Sequence, residues 1–182
     1  MELGKTLYVT ERKAWRSWLV KHHCNEKEIW LVYYKKHTGK PRIPYNDAVE
    51  EALCYGWIDS TVKRVDDERT AQRFTPRREN SPWSEMNRER ARRLIKAGKM
   101  TGAGLAKIRE NLGTKFVVPG DILKELKGNK SVWENFRKFP LAYKRVRIGF
   151  IDDARKRPDE FMKRLRYFIK MTGQNKQFGM VR

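Results

Sequence analysis

Residues 51–88 read EALCYGWIDSTVKRVDDERTAQRFTPRRENSPWSEMNR, and this stretch predicts the centre of the fold. Two segments with strand-like alternation, 57–65 and 70–75, flank the polar turn at residues 66–69. Such an arrangement is typical of a β-hairpin, since charged turn residues separate two apolar and β-branched runs. The hairpin gives the chain two neighbouring strands from which a sheet can grow.

Patterns on both sides of the hairpin complete the prediction. The apolar and aromatic run at residues 29–34 favours a central strand over a helix. Ser81 and Pro82 predict the next helix, with Ser81 as N-cap and Pro82 at the first helical position. Beyond them the pattern is helical, with apolar stripes in two longer helices that Pro140 and Pro158 open. We therefore predict an α+β protein, in which a small antiparallel sheet with packed helices is followed by a helical C-terminal module.

Length and charge divide the chain in the same way. The 182 residues fit an α+β domain over 1–113 and a helical module over 119–182 packed on it. The formal net charge is +20, and residues 107–182 hold 20 Lys or Arg against 8 Asp or Glu. A net of +12 in this part means that any bulk electrostatic role belongs to the C-terminal helices.

Composition argues against several classes of protein. No apolar run approaches the ~18 residues of a membrane span, and the N-terminus lacks the apolar run of a signal peptide, so we expect a cytoplasmic protein without membrane insertion. Two cysteines make no disulfide framework. The three histidines and two cysteines lack the paired spacing of zinc ligands, so we expect neither a metal nor another cofactor.

A candidate site lies on the hairpin. Side chains alternate along a strand, so Trp57 and Asp59 share one face of the first strand, and Arg73 and Thr75 share one face of the second. If these faces coincide, Asp59 orients Arg73 beside an indole wall. That arrangement is either a pocket for a small anion or planar ligand, or a structural ion pair that holds the hairpin. Both interpretations stay open at this point.

The segment after the hairpin extends the site. Arg77 adds a guanidinium, and Asn87 lies beyond the first turn of the predicted helix, where it can meet a ligand. The candidate ligand-binding residues are Trp57, Asp59, Arg73, Thr75, Arg77, Trp83 and Asn87. No nucleophile with a neighbouring base and no glycine-rich phosphate loop accompanies them, so we expect a binding protein rather than an enzyme. An enzyme that uses Asp59 and Arg73 is a second alternative.

The C-terminal helices offer another class of function. Helical spacing puts Lys163, Arg166 and Lys170 on one side, away from the apolar stripe. Nucleic-acid backbones attract such a surface, so binding of nucleic acid, in part nonspecific, is the first alternative to a small anionic ligand or a protein partner. A solvated face of a very basic protein explains the same pattern.

Three short sequence motifs resemble those of a known family. GWIDS at residues 56–60, RFTPRR at 73–78 and SPWSEMNRER at 81–90 are similar to the YdeI/OmpD-associated proteins, also called bacteriocin-protection proteins. The resemblance implies an α/β part that carries GWIDS and RFTPRR, and a helical C-terminal module. It also implies a role in protection against bacteriocins or envelope stress, with no particular reaction attached.

Overall fold

The computed structural model describes residues 3–108, 112 and 115–179. The chain divides into two compact units. The first, the sheet unit, comprises Met1–Ser81 and Ala91–Glu110, and the second, the helical unit, comprises Pro82–Arg90 and Asn111–Arg182. No helix within the described ranges is long and apolar enough to cross a membrane.

Four strands and eight α-helices are found in the described residues, and they confirm the predicted α+β class. The strands are β1 (Thr6–Leu7), β2 (Ile29–Tyr34), β3 (Trp57–Arg64) and β4 (Arg69–Pro76). The helices are α1 (Arg12–His22), α2 (Tyr45–Cys54), α3 (Glu85–Lys96), α4 (Gly102–Ala106), α5 (Gly120–Lys127), α6 (Lys130–Lys138), α7 (Leu141–Asp152) and α8 (Pro158–Gly173). A short 3-10 turn covers Lys36–Thr38.

The sheet has the strand order β1-β2-β4-β3. The predicted central strand and hairpin are confirmed as β2, β3 and β4, and β4 pairs antiparallel with both neighbours. The prediction of a purely antiparallel sheet is wrong for β1, which pairs parallel with β2. The reason is the connection between the two strands. Helix α1 lies between them in the sequence and returns the chain to the end of the sheet where β1 began, so β2 runs in the same direction as β1.

Helices α1 and α2 cover one face of the sheet. Trp15 of α1 lies with its ring 5.4 Å from that of Phe74 on β4, and Trp18 lies 5.7 Å from Trp57 on β3. The Trp15 indole also donates a hydrogen bond to the backbone oxygen of Ala48 on α2, at 2.9 Å. Burial of these large aromatic side chains is a main source of stability for this unit.

One buried carboxylate joins the two helices. Glu51 of α2 is 2% exposed, and its two oxygens accept hydrogen bonds from Arg12 Nε at 2.5 Å and Arg16 Nη1 at 2.7 Å. Two guanidiniums from α1 therefore hold a single carboxylate that has almost no contact with water. Arg12 also contacts Glu50 at 3.1 Å and Asp47 at 3.3 Å.

The start of α3 differs from the prediction, which placed Ser81 as its N-cap and Pro82 at its first position. The helix begins at Glu85, and Ser84 Oγ accepts a hydrogen bond from the Asn87 amide at 3.3 Å. A turn closed by the Ser81 amide and the Arg78 oxygen precedes it. That turn leaves Pro82 outside the helix. Ser84 is the N-cap instead, because its side chain accepts from the amide of Asn87, three residues further along the chain.

Helices α5 to α8 form the core of the helical unit. Its buried side chains include Leu126, Phe136, Tyr143, Leu165 and Phe168. The apolar stripes predicted after Pro140 and Pro158 supply Tyr143, Leu165 and Phe168, because residues three and four apart share one face of a helix.

Within this unit, Arg155 links the end of α7 to α5. The two Nη atoms of Arg155 donate to both oxygens of Asp121 at 2.9 Å, and its Nε donates to Asp152 at 2.5 Å. The hydrogen bonds from Arg155 lower the pKa of Asp121 to about 2.

We predict that Glu51→Gln destabilises the protein by about 2 kcal/mol, because Arg16 loses the carboxylate that it contacts and Arg12 keeps only Asp47 and Glu50. Urea unfolding followed by circular dichroism measures this loss. Glu68→Gln is the matched control, since Glu68 pairs with Lys40 at the surface, where the loss should stay below about 1 kcal/mol. Equal losses in the two variants would contradict a special role for the buried carboxylate.

We also predict that Arg155→Gln raises the pKa of Asp121 from about 2 toward the ordinary value. The folded-state pKa is depressed, so the stability that the pair contributes is present above the unfolded pKa of about 4 and is lost as the pH falls toward 2. Carboxyl NMR titration measures the change, and Arg166→Gln provides a control of the same charge. An unshifted Asp121 titration in Arg155→Gln would show that the pair does not control this pKa.

Candidate functional site

The predicted pairing of Asp59 with Arg73 is wrong. The hairpin register places Asp59 opposite Phe74, so these two side chains share the face that α1 and α2 cover. Arg73 is the neighbour of Phe74 in β4 and therefore points to the other face. The same alternation takes Thr75 away from Asp59. Neither the pocket nor the structural ion pair built on Asp59 and Arg73 exists in this fold.

Arg73 pairs instead with Glu28. Its Nε donates to Glu28 Oε2 at 2.8 Å, and its Nη2 contacts the same oxygen. The second carboxylate oxygen accepts from the Trp30 indole at 3.1 Å. These hydrogen bonds, that from Arg73 first, lower the pKa of Glu28. The arginine of RFTPRR thus belongs to a surface ion pair on the face of the sheet opposite α1 and α2.

Asp59 belongs to a different group, which we call the tyrosine–aspartate cluster and define as Tyr33, Tyr45 and Asp59. Tyr45, the first residue of α2, donates its hydroxyl to Asp59 Oδ2 at 2.6 Å. Tyr33 of β2 is 7% exposed, and its hydroxyl has no hydrogen-bond partner among the described residues. Burial raises the pKa of Tyr33, and the nearby Tyr45 and Asp59 raise it further, so this phenol remains a protonated donor.

Two arginines accompany the cluster. The positive charge of Arg42 acts on Tyr33, whose pKa it lowers against the larger effect of burial. Arg77 is 3% exposed and donates from Nη2 to the Ser81 oxygen at 3.1 Å. Burial lowers the pKa of Arg77, and the negative charge of Asp59 opposes that shift. Asp59 and Arg77 are therefore the two predicted site residues that remain electrostatically coupled.

The other predicted ligand residues are dispersed. Trp57 is 1% exposed and donates its indole N–H to the His23 oxygen at 3.0 Å, so it is part of the core. Trp83 and Asn87 belong to the helical unit, where Trp83 is buried and Asn87 accepts a hydrogen bond from Arg90 at 2.8 Å. The predicted cluster of Trp57, Asp59, Arg73 and Trp83 is therefore wrong for Arg73, whose side chain lies on the opposite face of the sheet from those of Trp57 and Asp59.

Sequence reasoning missed Tyr33, Arg42 and Tyr45. One local signal for Tyr33 was present, because it alternates with Ile29 and Leu31 along β2 and must share their face. The position of Tyr45 against Asp59 had no such signal, since it depends on how α2 packs on β3.

The basic residues of α8 lie where the helical spacing puts them. Lys163, Arg166 and Lys170 are exposed, whereas Leu165 and Phe168 on the same helix are buried. Two large apolar side chains, Met162 and Tyr167, are also exposed on this helix. Whether the face binds nucleic acid remains a prediction.

Thiol and metal chemistry find little support in the described residues. Burial raises the pKa of Cys54 to about 11, so its thiol is protonated near neutral pH and is a poor nucleophile. Cys24 is exposed, and both cysteines are free. Across residues 3–108, 112 and 115–179, no group of three His, Cys, Asp or Glu side chains could hold a metal ion.

This geometry defines an α+β protein with a polar cluster at its sheet and a separate bundle of helices. The chain belongs to the family described as "Domain of unknown function (DUF8412)", whose model matches residues 7–107. Residues 115–175 match the model described as "Bacteriocin-protection, YdeI or OmpD-Associated". No curated protein and no solved structure matches the chain.

The two matches refine the resemblance drawn from the sequence. The similarity to the YdeI/OmpD-associated family is confirmed, and its model covers α5 to α8. The words GWIDS, RFTPRR and SPWSEMNRER fall inside the other match. The polar cluster at the sheet thus lies within the match to the family of unknown function, and α5 to α8 lie within the match to the YdeI/OmpD-associated model.

Proposed function

We propose that this protein is a non-enzymatic binder of a small anionic ligand, which it holds at the tyrosine–aspartate cluster. The observation that carries the proposal is the Tyr33 hydroxyl, which is buried without a hydrogen-bond partner among the described residues. A buried hydroxyl without a partner costs about 1–3 kcal/mol, so a ligand that accepts its hydrogen bond recovers free energy on binding.

The balance of donors and acceptors supports an anion. Asp59 is the carboxylate of the cluster, and it already accepts from Tyr45 and lies in the field of Arg77. Tyr33 offers a donor, and Arg42 adds a positive charge that acts on the same phenol. Donors and positive charge therefore exceed acceptors, which favours a ligand that carries negative charge and accepts hydrogen bonds.

The protonation state of Tyr33 supports binding over catalysis. A general base must be able to take up a proton near neutral pH, and a nucleophile must be able to lose one. Tyr33 has a pKa raised above its ordinary value by burial, so it keeps its proton. A fixed donor of this kind suits recognition.

We propose a cytoplasmic location as well, because both cysteines are free thiols, as is usual in a reducing compartment.

Tyr33→Phe provides the test. We predict that phosphate, sulfate or succinate at millimolar concentration raises the melting temperature of the wild type, and that Tyr33→Phe binds the same anion about tenfold more weakly. Isothermal titration calorimetry measures the affinity. Without ligand the variant should be as stable as the wild type or slightly more so, because it loses a hydroxyl that has no protein partner.

Tyr34→Phe is the matched control, since Tyr34 is the next residue of β2 and its side chain lies on the opposite face. It should bind the anion as the wild type does. The proposal fails if Tyr33→Phe retains full affinity, or if the ligand-free variant is clearly destabilised, which would indicate a structural role for the hydroxyl.

A second candidate function rests on the face of α8. Lys163, Arg166 and Lys170 are exposed beside Tyr167, and basic side chains next to an exposed aromatic ring suit the phosphates and bases of a single strand. The net charge of +20 adds a nonspecific attraction for any polyanion, so only binding that persists near physiological salt supports this function.

We predict that log K for single-stranded oligonucleotides falls with log salt by about 0.7 per phosphate neutralised. Reversing the charge of Lys163, Arg166 and Lys170 together should make this slope shallower, whereas Lys35→Glu with Lys36→Glu should change it less. Fluorescence anisotropy over a salt series measures both slopes. Binding that ignores salt, or equal slopes in the two variants, would remove the nucleic-acid function.

A further inference from the structure

A cavity of about 140 Å³ lies within the helical unit, between α7, α8 and the segment that follows α8. Its walls are mostly aromatic and aliphatic, and they include Phe150, Ile151, Tyr167, Phe168 and Phe178. This volume is close to that of cavities that hold a single benzene ring. The space therefore suits a ligand with a small apolar body.

Arg147 of α7 places a buried charge in the cavity wall. It is 7% exposed, and its Nε has no hydrogen-bond partner among the described residues. Burial lowers its pKa, and Tyr143 is the group that opposes this shift; no carboxylate of the described residues contributes. An arginine remains charged even so, and a charge removed from water without an anion is costly.

Aromatic rings surround this guanidinium. Its Cζ lies 4.9 Å from the ring centre of Phe178, 5.4 Å from that of Phe150 and 6.0 Å from that of Tyr143. Such cation–π contacts offset part of the cost of burial, but they leave the Nε–H without an acceptor among the described residues. A side chain at Gly179 would come within 2.7 Å of both Nη atoms, so the chain passes very close to the charge.

A second arginine in the same wall shows the contrast. Arg164 donates to Glu160 at 2.7 Å and to the Phe150 oxygen at 2.6 Å, and it stacks on the Phe150 ring at 3.7 Å. Its charge is neutralised by Glu160, and two of its three nitrogens donate hydrogen bonds. With Lys163 also in the wall, the cavity keeps a positive excess, since Glu160 is the one carboxylate among the lining residues.

We propose that this cavity binds a small monocarboxylate with one ring or a short alkyl body, whose carboxylate is held by the guanidinium of Arg147. The planar fork of an arginine matches the two oxygens of a carboxylate. The aromatic walls take the apolar body, which a phosphate or sulfate ion lacks. This site lies in the helical unit, so it is independent of the function proposed for the tyrosine–aspartate cluster.

Benzoate is the probe for the test. Benzyl alcohol has the ring without the charge, and inorganic phosphate has negative charge without the ring, so these two compounds are the controls. We expect the full chain to bind benzoate at millimolar or lower concentration in calorimetry, and to bind both other probes more weakly. Nuclear Overhauser contacts from the benzoate ring to Phe150 and Phe178 should locate it. Equal binding of benzyl alcohol would overturn the role of the charge, and so would a failure to bind benzoate at all.

Arg147→Met removes the charge and keeps an apolar side chain in the wall. We expect benzoate affinity to fall about 10- to 100-fold, since a charge-assisted hydrogen-bonded pair is lost. The ligand-free variant should melt at the same temperature as the wild type or above it, because an uncompensated buried charge has been removed. A purely structural arginine predicts the opposite, a clear loss of stability with affinity retained.

Arg166→Met is the matched control, because it makes the same change on the exposed side of α8 and does not line this cavity. It should leave benzoate affinity unchanged. If Arg147→Met does not fold, Arg147→Lys replaces it, since lysine keeps the charge and lacks the planar pair of donors. This variant must lower the affinity for benzoate more than the affinity for benzyl alcohol. Tyr33→Phe should bind benzoate normally, which separates failure of this site from failure of the cluster.

Discussion

The register between β3 and β4 is the constraint on which the chemistry of the sheet unit depends. Phe74 is fully buried against Trp15, so the face that it shares with Asp59 must be the one that α1 and α2 cover. Strict alternation then sends Arg73 to the opposite face, where Glu28 receives it. A shift of one residue would exchange the two faces, and the burial of Phe74 opposes that shift more strongly than any single ion pair could favour it.

Buried charge is handled differently in the two units. In the sheet unit Glu51 is held by Arg12 and Arg16, so a nearly inaccessible carboxylate has two guanidiniums. In the helical unit Arg147 has aromatic rings around it and no carboxylate among the described residues. Paired burial serves stability and specific packing, whereas an arginine buried beside a cavity supplies what an incoming anion needs.

Much of the fold could be predicted from local patterns. The strand at Ile29–Tyr34 and the two strands of the hairpin follow from runs of apolar and β-branched residues around a polar turn. The start of α3 was less predictable, because Ser81 and Ser84 can both cap a helix and the turn before Pro82 decided between them. The candidate site was the least predictable part, since it required the relative face of two strands, and alternation fixes the faces within each strand only.

The sequence by itself determined the class of fold, the positions of the main strands and helices, and the basic character of the C-terminal helices. These properties depend on periodicity and composition over short stretches, which local sequence contains. Only the tertiary structure decided that Asp59 meets Tyr45, that Arg73 meets Glu28, and that Arg147 is enclosed by aromatic rings beside a cavity. The first two contacts join residues from different parts of the chain, and Arg147 meets Phe178 from the segment after α8. The packing that brings such residues together follows from burial of the core, to which the polar residues themselves contribute little.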